Sequence, residues 1–178
     1  NGMVAYATST YNTGWMNGDI KGAFLSDTDA TSVVGSGELV TNGDFATNIT
    51  GWTDASVDGG SISWDASGAM LLDAGASGDA FARQQITVTP NVLYRLDMEN
   101  TGGTYLAHLR LGTVEGSTNL GSVNISAGTS GRLMFSTTGS SVWVQASVTS
   151  NGASTTVDNI SVKLAEADRS VNNKGLIV

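Results

Sequence analysis

The chain has 178 residues, with 8 Lys and Arg against 16 Asp and Glu and a net charge of −8. That balance excludes the basic footprint expected of nucleic-acid binding, and it gives anionic lipid nothing to attract. With no Cys and one His, disulfides and thiolate metal sites are ruled out, and imidazole chemistry is limited to His108.

Gly makes up 23 of the 178 residues, about double the usual ~7 %. One Pro and 13 % charged residues complete a composition typical of a turn-rich β protein with a Ser/Thr/Asn-covered surface. No apolar run reaches the ~18 residues a membrane helix needs, so membrane insertion is not expected.

Residues 1–37 show no sustained periodicity. They carry Tyr11, Trp15, Met16, Ile20, Phe24 and Leu25, a set too apolar to float free in water. An extended N-terminal arm is expected here, packed on another copy of the chain or on a neighbouring module of a larger polypeptide.

A sandwich is expected over residues 38–165, in which period-two alternation broken by Gly, Asn, Ser and Asp clusters recurs from about Ser61 to Leu164. Strands are expected at 60–65, 69–73, 80–89, 92–100, 105–113, 121–125, 132–137, 141–149 and 155–164. Short strands at this spacing with no helix between them predict an all-β, two-sheet antiparallel sandwich. Residues 166–178 are polar until the apolar end Gly175-Leu176-Ile177-Val178, and form a C-terminal linker. Both ends read as cut points within a longer chain.

Strand parity separates core from surface. Val142, Val144, Ala146 and Val148 face inward, which turns Trp143, Gln145 and Ser147 outward. Tyr94, Leu96 and Met98 go inward, leaving Arg95, Asp97 and Glu99 outside. Tyr105, Ala107, Leu109 and Leu111 go inward, leaving Leu106, His108 and Arg110 outside.

If these strands share a sheet, one outer face carries Trp143 among Arg95, Asp97, Glu99, His108, Arg110 and Gln145. An indole ringed by amides, carboxylates and guanidinium suits a surface glycan, because pyranose C–H faces stack on the ring and planar polar groups bind hydroxyls. A subunit interface and a plain solvated face remain open as alternatives.

Trp52 and Trp64 are expected in the core. Asp54, Asp58, Asp65, Asp73 and Asp79 fall in turns and at strand ends. Asp158 has the parity of Ile160 and Val162, and an inward acid needs a cation or donors, which makes it the first candidate calcium ligand.

Catalysis finds little footing. Asp97 and Glu99 lie two residues apart on one face, ~6–7 Å by strand rise, but any alternating acidic strand gives that spacing. No nucleophile elbow, P-loop or dinucleotide fingerprint occurs, so no enzyme is expected.

The stretch Glu38-Leu39-Val40-Thr41-Asn42-Gly43-Asp44-Phe45 followed by Gly51-Trp52 resembles the opening of family 4/9 carbohydrate-binding modules. Gln84-Gln85-Ile86-Thr87-Val88-Thr89-Pro90 and the closing Val157-Asp158-Asn159-Ile160-Ser161-Val162 resemble later parts of the same modules. The resemblance covers residues 38–165. It implies a galactose-binding-like jelly roll with a glycan cleft on its concave sheet and a structural calcium at Asp158, with Asp44 as a second ligand.

The flanks, from Tyr11-Asn12-Thr13-Gly14-Trp15 onward and again at Asp168-Arg169-Ser170-Val171, resemble segments of tail-fibre-like virion proteins of tailed, notably marine, bacteriophages. This second likeness implies a piece of a modular, oligomeric protein that is extracellular or on a virion surface. Its function would be structural and adhesive. A purely self-assembling subunit, or an accessory module of a polysaccharide-degrading enzyme, are the other readings.

Overall fold

The computed structural model describes residues 4–6, 22–24 and 37–165, which divide between two compact units, Asn1–Gly35 with Ala165–Val178, and Ser36–Leu164. In the first, β1 (Val4–Tyr6) pairs antiparallel with β2 (Gly22–Phe24), Val4 opposite Phe24. The arm residues Tyr11, Trp15, Met16, Ile20 and Leu25, and the linker from 166 on, lie outside the described residues.

The second unit contains β3 (Thr53–Asp54), β4 (Ser61–Asp65), β5 (Ala69–Asp73), β6 (Ala80–Thr87), β7 (Tyr94–Gly103), β8 (Ala107–Gly112), β9 (Gly121–Ile125), β10 (Thr129–Phe135), β11 (Ser141–Val148) and β12 (Ser154–Leu164). They form two antiparallel five-stranded sheets, one ordered β10-β7-β12-β5-β4 and the other β3-β6-β11-β8-β9. There is no helix among the described residues, and the expected all-β sandwich is the architecture found. Within this unit β3 lacks a counterpart in the sequence reading, as do β1 and β2 of the other, because two or three residues are too few to show alternation.

The pleat explains the core. Val142, Val144, Ala146 and Val148 of β11 are fully buried, and Leu109 and Leu111 of β8 join them. Tyr94, Leu96 and Met98 of β7 and Leu72 of β5 face them from the other sheet. Turns are fixed by side chains. The carboxylates of Asp54, Asp65 and Asp73 each accept the N–H two residues on, from Ser56, Ser67 and Gly75, at 3.0, 2.8 and 2.9 Å.

Three sequence expectations are corrected. Trp64 shares parity with Ile62 but stands on the edge strand β4 and is 40 % exposed, its indole N–H donating to the Phe45 carbonyl at 2.7 Å. Tyr105 precedes β8 rather than belonging to it, and is exposed. Asp158 does not face the core. A bulge lies between Asp158 and Ser161, with Asn159 at φ 53°, so the buried side switches from Thr155 and Val157 to Ile160 and Val162. Asp158 stands opposite the outward Glu99.

The segment 38–52 closes the sandwich. Glu38 Oε1 accepts the N–H groups of Val40 and Val162, and Ile160 N–H donates to the Gly43 carbonyl at 2.9 Å. Phe45 is fully buried against Trp52, ring centroids 5.8 Å apart, and the Trp52 indole N–H reaches the Asn42 carbonyl. The buried Gln84 amide accepts from Thr41 N–H and donates to the carbonyls of Thr41 and Gly51. Trp52 is therefore the core residue its position promised.

Gly43 is required by approach. A Cβ there would lie 1.9 Å from the Ile160 carbonyl oxygen. Gly43→Ala is expected to cost about 2–3 kcal/mol, because backbone must move to admit the methyl group. Gly37→Ala, at a position with nothing within 4 Å, is the neutral control. Urea unfolding midpoints of the two variants check this.

Candidate functional site

The expected outer face is divided by the topology. Trp143, Gln145, His108 and Arg110 lie on the β3-β6-β11-β8-β9 sheet, whereas Arg95, Asp97 and Glu99 lie on the opposite sheet. Parity placed each of them outward correctly. The assumption that β7 shares a sheet with β8 and β11 does not hold, so the two groups look away from each other across the core.

On the β7 side the described cations are already paired. Asp97 accepts from Arg95 Nε at 2.6 Å and Arg132 Nε at 2.9 Å, one carboxylate oxygen each. Glu99 accepts from the Asn159 amide at 3.0 Å, and Lys163 lies 3.7 Å from Glu38. A shallow depression of about 570 Å³ opens at the end of this sheet, lined by Glu99, Asn100, Thr101, Gly128, Thr129 and Ser130.

Asp158 belongs to this side too. Burial pushes its carboxyl pKa up, the Asn159 N–H bond pulls it down, and the charges of Glu99 and Asp44 push it up again. No group of three or more His, Asp or Glu side chains suited to a metal is gathered among the described residues. The position after Phe45 is Ala46 rather than an acid.

The Trp143 side is organised differently. Register places Arg83 of β6, Gln145 of β11 and Arg110 of β8 side by side in one row, with Gln85 beside Trp143 in a second and Phe81, Ser147 and His108 in a third. Strand spacing puts the two arginine backbones roughly 10 Å apart across Gln145. Phe81, Arg83 and Gln85 were missed in the sequence reading. Their signal was present, since Ala80, Ala82 and Ile86 mark the inward parity of β6, but the buried polar Gln84 interrupts it.

Arg83 is fixed at three points. Its Nε donates to Gln145 Oε1 at 2.7 Å, its Nη1 meets Glu115 at 3.2 Å, and its guanidinium lies 5.3 Å from the Phe81 ring centroid. Glu115 comes from the β8–β9 loop, which folds over this face: Ser117 occupies the space a side chain on Gly112 would need, and Gly116 packs over Arg83. His108 is equally held, Nδ1 to Asn124 Oδ1 at 2.7 Å and Nε2 to Thr149 Oγ1 at 3.1 Å. In the neutral ring Nδ1–H donates to the amide oxygen and Nε2 accepts the hydroxyl.

Arg110 is half-buried, and burial pushes its pKa down; Asp79 opposes that fall and Arg83 adds to it. Trp143 is half-exposed beside the row.

No protein-family model matches the chain, and no curated protein matches it. Solved structures do. A family 4 carbohydrate-binding module superposes with TM-score 0.54 at 11 % identity, over 70 % of this chain and 99 % of that one. A family 61 module in complex with β-1,4-galactotriose gives TM-score 0.54 at 13 % identity, over 72 % and 99 %. The enzymatically active domain of tailspike protein 4 from bacteriophage CBA120 gives 0.50 at 20 % identity, over 71 % of this chain but only 21 % of that one.

The chain has the fold of the carbohydrate-binding-module jelly rolls. It matches these modules over nearly their whole length and spans about a fifth of the tailspike chain. In this jelly roll the Trp143 sheet carries Trp143 and Phe81 on its outer face beside Arg110, which has no ion pair among the described residues.

Removing the Asp158 charge tests the electrostatic account of the opposite sheet. A raised carboxyl pKa in the folded state means that stability falls as pH rises from the ordinary value of 3.8 through the raised one. Asp158→Asn, which keeps an acceptor for Asn159 N–H, should melt with the wild type below that window and at a higher temperature at neutral pH. Paired thermal melts across the acid range check this.

Proposed function

We propose that the chain is a non-catalytic structural and adhesion module of an extracellular or virion-surface filament such as a phage tail fibre, and that it holds surface glycans on the outer face of the Trp143 sheet. The observation that carries this reading is the half-exposed indole of Trp143 next to the Arg83–Gln145–Arg110 row, on strands whose register is fixed. A pyranose ring stacks its C–H face on an indole, and a planar amide and guanidinium recognise adjacent hydroxyls in pairs. Rigid strands hold those groups in place before the sugar arrives, which lowers the ordering cost of binding.

The solved neighbours support the reading in kind: two are carbohydrate-binding modules, one in complex with a galactotriose, and the third is a domain of a phage tailspike. Of the sequence candidates, Trp143, Gln145, Arg110 and His108 belong to this proposed site, with His108 as a positioning residue because both ring nitrogens are taken. On the other sheet Arg95 and Asp97 form an ion pair, and Glu99 accepts a hydrogen bond from Asn159.

A self-assembling subunit without glycan binding is the second reading. Exposed Val114 on the β8–β9 loop and Met134 on the edge strand β10 favour it.

Titration against a panel of oligosaccharides is the test, with Trp143→Ala as the control. Loss of the indole is expected to weaken binding about tenfold or more, on the order of 1.4 kcal/mol. Unchanged affinity in that variant overturns the assigned face. Binding by no member of the panel, together with a multimer by light scattering, favours the self-assembling subunit.

A further inference from the structure

We infer that the sugar taken by this face carries a carboxylate, as in a uronic or sialic acid, and that Arg110 is its anchoring residue; this inference rests on the proposed glycan face.

The first argument is charge accounting. Arg83, Arg95, Arg132 and Lys163 each sit in an ion pair, as a protein with twice as many acids as bases would lead one to expect. Arg110 makes no ion pair and no hydrogen bond among the described residues. Asp79 acts on it through space without closing into a pair, and Arg83 repels it from the same row. A half-buried guanidinium has lost part of its hydration and gained no acceptor in return.

The second argument is the sign of the unused groups. Gln145 turns its amide oxygen to Arg83, since a guanidinium only donates, and this leaves the amide NH2 without a partner among the described residues. Two residues along β11, the Ser147 hydroxyl has no hydrogen-bond partner among the described residues, but it is fully buried and closed to a ligand. A guanidinium and an amide NH2 therefore lie side by side in one row, neither bonded to an acceptor among the described residues. Glu115, from the loop over this face, is spent on Arg83, and Asp79 acts on Arg110 only through space.

An acceptor-rich ligand completes the set. A carboxylate presents two oxygens to the fork of Arg110 bidentately, and a ring hydroxyl or carboxylate oxygen can take the neighbouring amide NH2. Trp143, which pairs with Gly112 two residues along β8 from Arg110, then receives the apolar face of the same or the adjoining sugar.

Matched pairs test this on the full chain: galacturonate oligomers against their carboxyl-reduced galactose counterparts, and sialyllactose against lactose. At least one acidic member is expected to bind about tenfold or more tightly than its neutral counterpart, with affinity falling as salt rises. Arg110→Gln should erase that preference, Arg110→Lys should keep part of it, and Trp143→Ala should weaken acidic and neutral members alike. Melting temperatures of the variants within a few degrees of wild type show that the fold is retained.

Equal binding of acidic and neutral members, or a preference that survives Arg110→Gln, overturns the inference and leaves the glycan face standing. Binding of neither class overturns both.

Discussion

Everything in this sandwich follows from one shared apolar layer between two sheets, because each strand must give that layer every second side chain. Val144, Leu109 and Ala82 occupy it from one sheet, Leu96, Val162 and Leu72 from the other, all fully buried. Once they point inward, the residues between them have no choice of face. Gln145 between Val144 and Ala146 must point out, and so must Arg110 between Leu109 and Leu111. The antiparallel register of β6, β11 and β8 then aligns Arg83, Gln145 and Arg110. The polar row is a consequence of the packing of the layer beneath it.

Closing the end of such a sandwich raises a different problem, because its strands finish with backbone groups that need partners. Segment 38–52 supplies them in an irregular conformation, with Asn42 and Phe45 at positive φ. The Gln84 amide is the central device. It sits on β6 at core parity, where an apolar side chain would have served packing better, and spends its oxygen and nitrogen on the backbone of Thr41 and Gly51. A buried amide with three bonds costs little, while the same amide with its partners removed would carry the full desolvation penalty. Glu38 makes the same bargain with Val40 and Val162 at the other end of the segment. The motif that resembles the opening of carbohydrate-binding modules is thus a closure device in this chain, and it lies apart from the Trp143 row in its contacts.

Alternation is a local property, which is why the strands and their inward faces could be read from the residues. Val142 to Val148, Tyr94 to Met98 and Ala107 to Leu111 all turn out as their parity indicates. Sheet membership is a property of the whole topology. The strand β7 pairs with β10 and β12, which are remote in sequence, and nothing in Arg95-Leu96-Asp97 says which layer it will join. Asp158 failed for a local reason of another kind: one extra residue at a bulge reverses parity, and Asn159 tolerates the left-handed backbone that the bulge needs. Trp64 shows that inward parity protects a side chain only where a further strand covers it.

The two outer faces end up with opposite electrostatic habits although they derive from the same alternating pattern. On the β7 face, cations and acids lie in neighbouring registers, Arg132 and Arg95 about Asp97, and Lys163 near Glu38, so these cations are paired within the protein, while Asp158 feels the like charges of Glu99 and Asp44. Such exposed pairs add little stability each, but together they leave that face with few unused groups. On the Trp143 face the strands bring two arginines to one row with an amide between them, and the loop supplies a single acid for the first. The second arginine and the amide NH2 are left as donors in excess among the described residues. Fixed donors on rigid strands cost no reorganisation when an acceptor arrives, whereas a face that has already bonded its own groups must break those bonds first. The surface best suited to capture a ligand is therefore the one whose polar groups the fold has positioned and left unbonded.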